Sequence, residues 1–142
     1  MARYHVRELL PPAYSKRPPD TLADWMRLLR EGLPGRGLAS LLESLGLSRT
    51  ELCAALDIPE RTLTRRVTEG RLTPEESEKV LRLARVWDRA NAVFESEAAA
   101  RDWMKSPNAA LQQAIPLSLL VADIGAEAVL DLLGRIEHGV FS

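Results

Sequence analysis

Cysteine is nearly missing from this 142-residue chain, which has one, Cys53, so no disulfide can form within it. Lying between Leu52 and Ala54 in an apolar run, Cys53 reads as a small buried hydrophobe, with no histidine near it in sequence to activate a thiolate. Histidine is scarce as well, at His5 and His138. His138 has Glu137 beside it, but no nucleophile, metal-ligand cluster or glycine-rich phosphate loop accompanies the pair, and the reading is of a non-enzyme that takes no cofactor or metal. β-Branched residues are thin, with 8 Val and 4 Ile against 24 Leu and 18 Ala, a balance that favours helices and argues against a sheet. No apolar run approaches the ~20 residues of a membrane span. The opening residues also lack the apolar core of a signal peptide, which predicts a cytoplasmic protein. Net charge is absent too: 19 Lys+Arg against 20 Asp+Glu leaves −1, so any affinity for nucleic acid must be local.

What is present is an ordinary globular composition, 46% hydrophobic and 27% charged, enough for one compact domain or two small ones. Prolines crowd the start, with Pro11, Pro12, Pro18, Pro19 and Pro34 all before residue 35. Arg3, Arg7, Lys16 and Arg17 outnumber Glu8 there, so residues 1–19 read as a basic, proline-broken flexible arm, either solvated or touching DNA phosphates.

From residue 20 the chain is a series of punctuated helices. Asp20 or Thr21 caps a stripe of Leu22, Trp25, Met26 and Leu29, which Gly32 ends. Leu38, Leu41, Leu42 and Leu45 form a second stripe stopped by Gly46, and Ser48 to Glu51 fits a capping box for the next helix. Pro59 sits in the first turn of the helix after that, and Gly70 closes it. Two short helices joined at Asp57-Ile58 make a helix-turn-helix pattern. Thr73 and Pro74 open a long helix reaching Phe94, a spine between subdomains at 20–94 and 95–142. Beyond it, Ser96 caps a helix ended by Pro107, Pro116 starts a short helix stopped at Gly125, and a final helix from Ala126 ends at Gly139.

The helix after Pro59 carries the candidate chemistry. With Leu63 facing the core, steps of 100° place Val67 about 40° away and Arg61 and Arg65 at about 160° and 200°. Thr62 and Thr64 flank them, and Arg61, Thr62 and Arg65 thus occupy the exposed first turns that meet base edges in a major groove, while Arg66 and Arg71 sit nearer the flanks suited to phosphates. Between Pro59 and Arg71, four Arg against Glu60 and Glu69 leave +2. A solvated arginine face serving protein contacts remains the alternative. One basic stripe per chain neutralises few phosphates, so a homodimer is expected.

Past Leu45 the chain resembles the Xre/MbcA/ParS-like antitoxins. The resemblance rests on Arg61-Thr62-Leu63-Thr64-Arg65-Arg66, Gly70 to Ser77 with Leu83-Ala84-Arg85, then Trp103, Pro107-Asn108, Ala110-Leu111, Pro116-Leu117, Leu119-Leu120, Gly125 and Val129. Its most specific part is the closing Leu132-Leu133-Gly134-Arg135-Ile136-Glu137-His138-Gly139-Val140-Phe141-Ser142. One departure is Leu111-Gln112-Gln113, where the family usually has Leu-Gly-Gly; glutamine disfavours the positive φ that two glycines permit.

The resemblance implies an all-α fold, an Xre-like helix-turn-helix domain followed by a small helical toxin-binding domain. It implies an antitoxin whose partner is a RES-domain toxin that consumes NAD, assembling with it into a hetero-oligomer and binding operator DNA to regulate its own operon. The expected toxin-binding residues are Arg135, Glu137, His138, Gly139, Val140, Phe141 and Ser142, plugging the toxin's NAD cleft. The residues themselves agree in charge: Asp123, Glu127, Asp131 and Glu137 face only Arg135, and a cleft that binds a dinucleotide's phosphates is basic. The rival expectation is a stand-alone transcription regulator with a C-terminal dimerisation domain.

Overall fold

The computed structural model describes residues 4–11, 14, 17–68 and 70–139, and these are helical, with two isolated β-bridges and no strand. The order is α1 (Tyr4–Leu9), α2 (Leu22–Glu31), α3 (Gly37–Leu45), α4 (Arg49–Leu56), α5 (Glu60–Thr68), α6 (Pro74–Phe94), α7 (Glu97–Lys105) and α8 (Asp123–Glu137). Two 3-10 segments, Ala109–Leu111 and Pro116–Val121, lie between α7 and α8.

Most helix edges follow from neighbours in the chain. The hydroxyls of Thr21, Ser48, Thr73 and Ser96 each accept a backbone N–H three residues on, opening α2, α4, α6 and α7. At Ser48 and Thr73 the third residue, Glu51 or Glu76, returns a carboxylate to the cap's own N–H at 2.9 Å, completing capping boxes. Gly46, at φ 63°, closes α3 in the left-handed region.

The spine is α6, which packs on α1, α2, α4, α7 and α8. Trp87 on it is fully buried, and its indole N–H donates to Ser44 Oγ at 2.6 Å, fixing α6 to α3. A single apolar core runs from Val6 through Leu41, Leu63 and Val86 to Leu133, so both halves share α6. Two cations of α7 complete the join: Arg101 donates to the Ser44 carbonyl at 2.8 Å and Lys105 to that of Gly46 at 3.0 Å. They satisfy carbonyls at the end of α3, where its dipole favours positive charge.

Three expectations are corrected. Residues 1–19 are not a free arm throughout: α1 is docked, with Val6, Leu9 and Leu10 buried and the Val6 N–H donating to the buried Asp88 carboxylate at 3.2 Å. Proline and charge counts hid that short apolar set. Arg3 and Lys16 lie outside the described residues.

Gly125 does not stop a helix; it lies inside α8, which begins at Asp123. A Cβ there would come 1.9 Å from the Leu119 carbonyl oxygen, so the glycine permits a close approach of α8 to the preceding 3-10 segment. Gln112 and Gln113 both adopt positive φ, 57° and 69°. Backbone bonds hold them there, from Gln113 N–H to Asn108 O at 2.8 Å and from Asn108 N–H to Ala114 O at 3.0 Å, against a steric cost of roughly 1–2 kcal/mol per residue.

Candidate functional site

The helix α5 turns as its periodicity predicts. Leu63 is buried and Val67 partly buried, while Arg61, Thr64 and Arg65 are exposed and Thr62 is half-buried. Pro59 stands just before the helix, its carbonyl accepting the Leu63 N–H at 3.0 Å. Arg61 and Arg65 are exposed and, among the described residues, enter no ion pair.

Arg66 and Arg71, expected on open flanks, are engaged. Arg66 Nε donates to Glu76 Oε1 at 2.9 Å, with both side chains largely buried, at 19% and 14% exposure. Burial pushes the Glu76 carboxyl up, but hydrogen bonds from Arg66 and from the Thr73 backbone outweigh it and hold the group below the usual glutamate range. Arg71 donates to the Gly32 carbonyl at 2.9 Å. The backbone beside it joins residues 33–35 to 70–72, through Leu72 N–H to Leu33 O at 2.8 Å and Gly35 N–H to Gly70 O at 3.2 Å. A Cβ on Gly35 would meet the Arg66 carbonyl oxygen at 1.9 Å. Helical angle alone cannot reveal these partners, which sit on other elements. Arg66 therefore braces α5 from behind, while Arg71, bonded to Gly32, remains exposed.

Sequence reasoning also passed over Arg49, the first residue of α4, whose guanidinium donates to Thr64 Oγ1 at 3.0 Å across the turn of the helix pair. Its place beside the Ser48 cap was the one available signal.

At the other end, Leu132 and Leu133 of α8 are buried, and its last residue is tied down. Arg89 of α6 grips both Glu137 oxygens, at 3.1 and 2.5 Å, and those bonds lower the Glu137 carboxyl. The Asp123 carboxylate at the start of α8 pairs with Arg82 at 2.7 Å. Arg135 is exposed and, among the described residues, without an ion pair; His138 is exposed, its Nε2 3.9 Å from Glu137 Oε1. Gly139, at φ 72°, donates its N–H to the Ile136 carbonyl at 3.1 Å, closing the helix. Val140, Phe141 and Ser142 lie outside the described residues. Glu137 is thus paired with Arg89 at the surface, with its carboxylate still exposed.

Among the described residues no group of three or more His, Cys, Asp or Glu comes together as a metal site, and no helix is long and apolar enough to cross a membrane. Cys53 is partly buried, and burial raises its thiol.

Comparison with known proteins finds two family models side by side. Residues 24–85 match the antitoxin Xre-like helix-turn-helix domain, and residues 89–139 match the antitoxin Xre/MbcA/ParS C-terminal toxin-binding domain. An antitoxin Xre of Yersinia enterocolitica is 47% identical over 68% of this chain, which spans 66% of that protein's length. An antitoxin Xre of Photorhabdus laumondii is 33% identical over 81% of this chain and 79% of its own. Among solved structures, a chain of the M. tuberculosis MbcT-MbcA toxin-antitoxin complex superposes with a TM-score of 0.59 at 28% identity, covering 76% of this chain and 96% of that one.

Proposed function

Since the chain belongs to the Xre antitoxin family, we propose that it neutralises a RES-type, NAD-degrading toxin by placing its C-terminal segment in the toxin's active site, and that it binds operator DNA to regulate its own operon. The observation that carries the toxin half is the end of α8. Arg89 pins Glu137 to the spine, Gly139 closes the helix, and the remaining chain leaves from a position set by tertiary contacts. Arg135 and His138 stand exposed at that exit, suited to the rim of an interface, with Phe141 as the apolar anchor. A cleft built for a dinucleotide's phosphates is cationic, and the exposed carboxylates of Glu127 and Asp131 on α8 complement it.

The DNA half is supported by the exposed Arg61 and Arg65 on the outer face of α5, with no ion pair among the described residues, and by Thr62 and Thr64 beside them. A single such face is small, so the assembly that binds tightly is a homodimer, or a toxin-antitoxin hetero-oligomer that presents two α5 helices at once. The setting is the cytoplasm, where both NAD and operator lie.

Deletion of Val140-Phe141-Ser142 is the decisive experiment, read as NAD consumption by a RES-type toxin at a fixed excess of antitoxin. Loss of an aromatic anchor typically weakens an interface by about 2 kcal/mol or more. The truncated chain should therefore fail to inhibit while binding DNA as before. Full inhibition by the truncated chain would place neutralisation on another surface.

A further inference from the structure

From the bond between the first residue of α4 and the outer face of α5, we infer that Arg49 is a DNA-phosphate-binding residue and that Thr64 positions it, a role that rests on the DNA reading of α5. Three observations lead there. First, Arg49 occupies the opening turn of α4, at the positive end of that helix dipole, where a cation is electrostatically disfavoured and a carboxylate would be preferred. The acid of that turn, Glu51, is already bound to the Ser48 N–H at 2.9 Å, and among the described residues Arg49 has no ion pair. An exposed cation at that place makes sense where an anion arrives from outside.

Second, Arg49 is held. Its Nη1 donates to Thr64 Oγ1 at 3.0 Å, fifteen positions along the chain, so α4 and α5 are joined on their exposed side. A guanidinium has five N–H donors in a planar fork, and one bond to a hydroxyl leaves four for a phosphate. Holding it in place before binding reduces the side-chain entropy lost on contact.

Third, Thr64 sits three residues after Arg61 and one before Arg65 on α5, so Arg49 extends the exposed cationic face of α5 onto α4. In a helix-turn-helix the first helix crosses the sugar-phosphate backbone while the second enters the groove, and the charge here follows that division. Thr64 then serves through its hydroxyl to hold Arg49 rather than to read a base. A phosphate contact tied by a hydrogen bond to the reading helix fixes how far that helix sits in the groove.

The test uses the full chain, titrated by fluorescence anisotropy against a mixed-sequence 30-base-pair duplex and a duplex selected from a randomised pool. Arg49→Gln keeps a donor for Thr64 but removes the charge. Each phosphate contact contributes about 0.9 to the slope of log K against log salt. The expected result is a slope smaller by about 0.9, so that between 50 and 200 mM salt this variant loses about 3.5-fold less affinity than the parent, equally on both duplexes. Thr64→Val, which keeps the shape without the acceptor, should weaken binding to both duplexes alike by releasing Arg49, and Thr64→Ser should restore it. An unchanged slope in Arg49→Gln, with Arg65→Ala still weakening binding, would overturn the phosphate role and leave the DNA reading of α5 standing. A loss confined to one base pair of the selected duplex would overturn it too, making Arg49 a base reader, and Thr64→Val binding either unchanged or weakened on the selected duplex alone would overturn the positioning role. If neither Arg61→Ala nor Arg65→Ala alters binding to either duplex, the reading of α5 itself fails and this inference fails with it.

Discussion

The helices α5 and α8 lie at the two ends of one core and handle charge in opposite ways. On α5, Arg61 and Arg65 stand exposed and unpaired among the described residues. On α8 the terminal carboxylates are claimed from within, Asp123 by Arg82 and Glu137 by Arg89, both arginines of α6. Unpaired charges are available to an external partner, whereas paired ones set the direction of the element that carries them. The same spine serves both: α6 supplies Glu76 to brace Arg66 behind α5, and Arg82 and Arg89 to hold α8.

The largest test removes what the two regions share. Trp87→Ala leaves a large void at the centre of α6 and gives up the bond to Ser44, and Trp→Ala in a core typically costs about 3–5 kcal/mol. Urea unfolding followed by far-UV circular dichroism should show one cooperative transition at a much lower midpoint, with DNA binding and toxin inhibition lost together. Two separate transitions in the parent chain would mean that α5 and α8 belong to independently stable units.

A smaller pair of changes separates the regions. Gly35→Ala drives a Cβ into the Arg66 carbonyl behind α5, and Gly125→Ala drives one into the Leu119 carbonyl beneath α8, each distance being 1.9 Å. Overpacking of this kind costs about 1–3 kcal/mol. Gly35→Ala should impair DNA binding more than toxin inhibition and Gly125→Ala the reverse, read by duplex titration and NAD consumption on the same preparations. Equal losses in both assays would erase the distinction between the two ends.

Arg65→Ala is milder for the fold and specific to one function. An exposed, unpaired side chain contributes within about 0.5 kcal/mol to stability, while a bidentate base contact is worth about 1–3 kcal/mol of discrimination. The thermal midpoint should stay in place as affinity for a selected duplex falls, and inhibition of the toxin should be unchanged.

The smallest effect is the response to acid. The Glu76 carboxyl, lowered by Arg66 and the Thr73 backbone, ionises more readily folded than unfolded. Its contribution is therefore complete above the ordinary glutamate value of about 4.3 and is lost as pH falls through the lower folded value. The urea midpoint should drop on going from about pH 7 to about pH 3.5. Glu76→Gln should drop less steeply, and an identical slope would show that the Arg66 pair does not contribute to stability. Asp24, Glu51 and Glu137 are lowered as well, so some acid sensitivity remains in that variant.

Sequence alone determined the helical class, the caps and the facing of α5. Those depend on short-range physics: a hydroxyl reaches an amide three residues on, as at Thr21, Ser48, Thr73 and Ser96, and helical periodicity turns Leu63 inward and Arg61 outward. Only the tertiary structure decided which charges remain free. Arg66 and Arg65 are adjacent and chemically identical, yet one is bound to Glu76 and the other is exposed, because the partner comes from a different helix. Likewise, Glu137 meets Arg89 forty-eight residues away, α1 docks where its proline-rich surroundings predict a loose arm, and position 125 is glycine inside a helix because the packed Leu119 carbonyl leaves no room for a Cβ. Pattern along a chain reports what lies within a turn or two of each residue, and the pairing of charges and the closeness of packed backbones are settled by residues brought together from far apart.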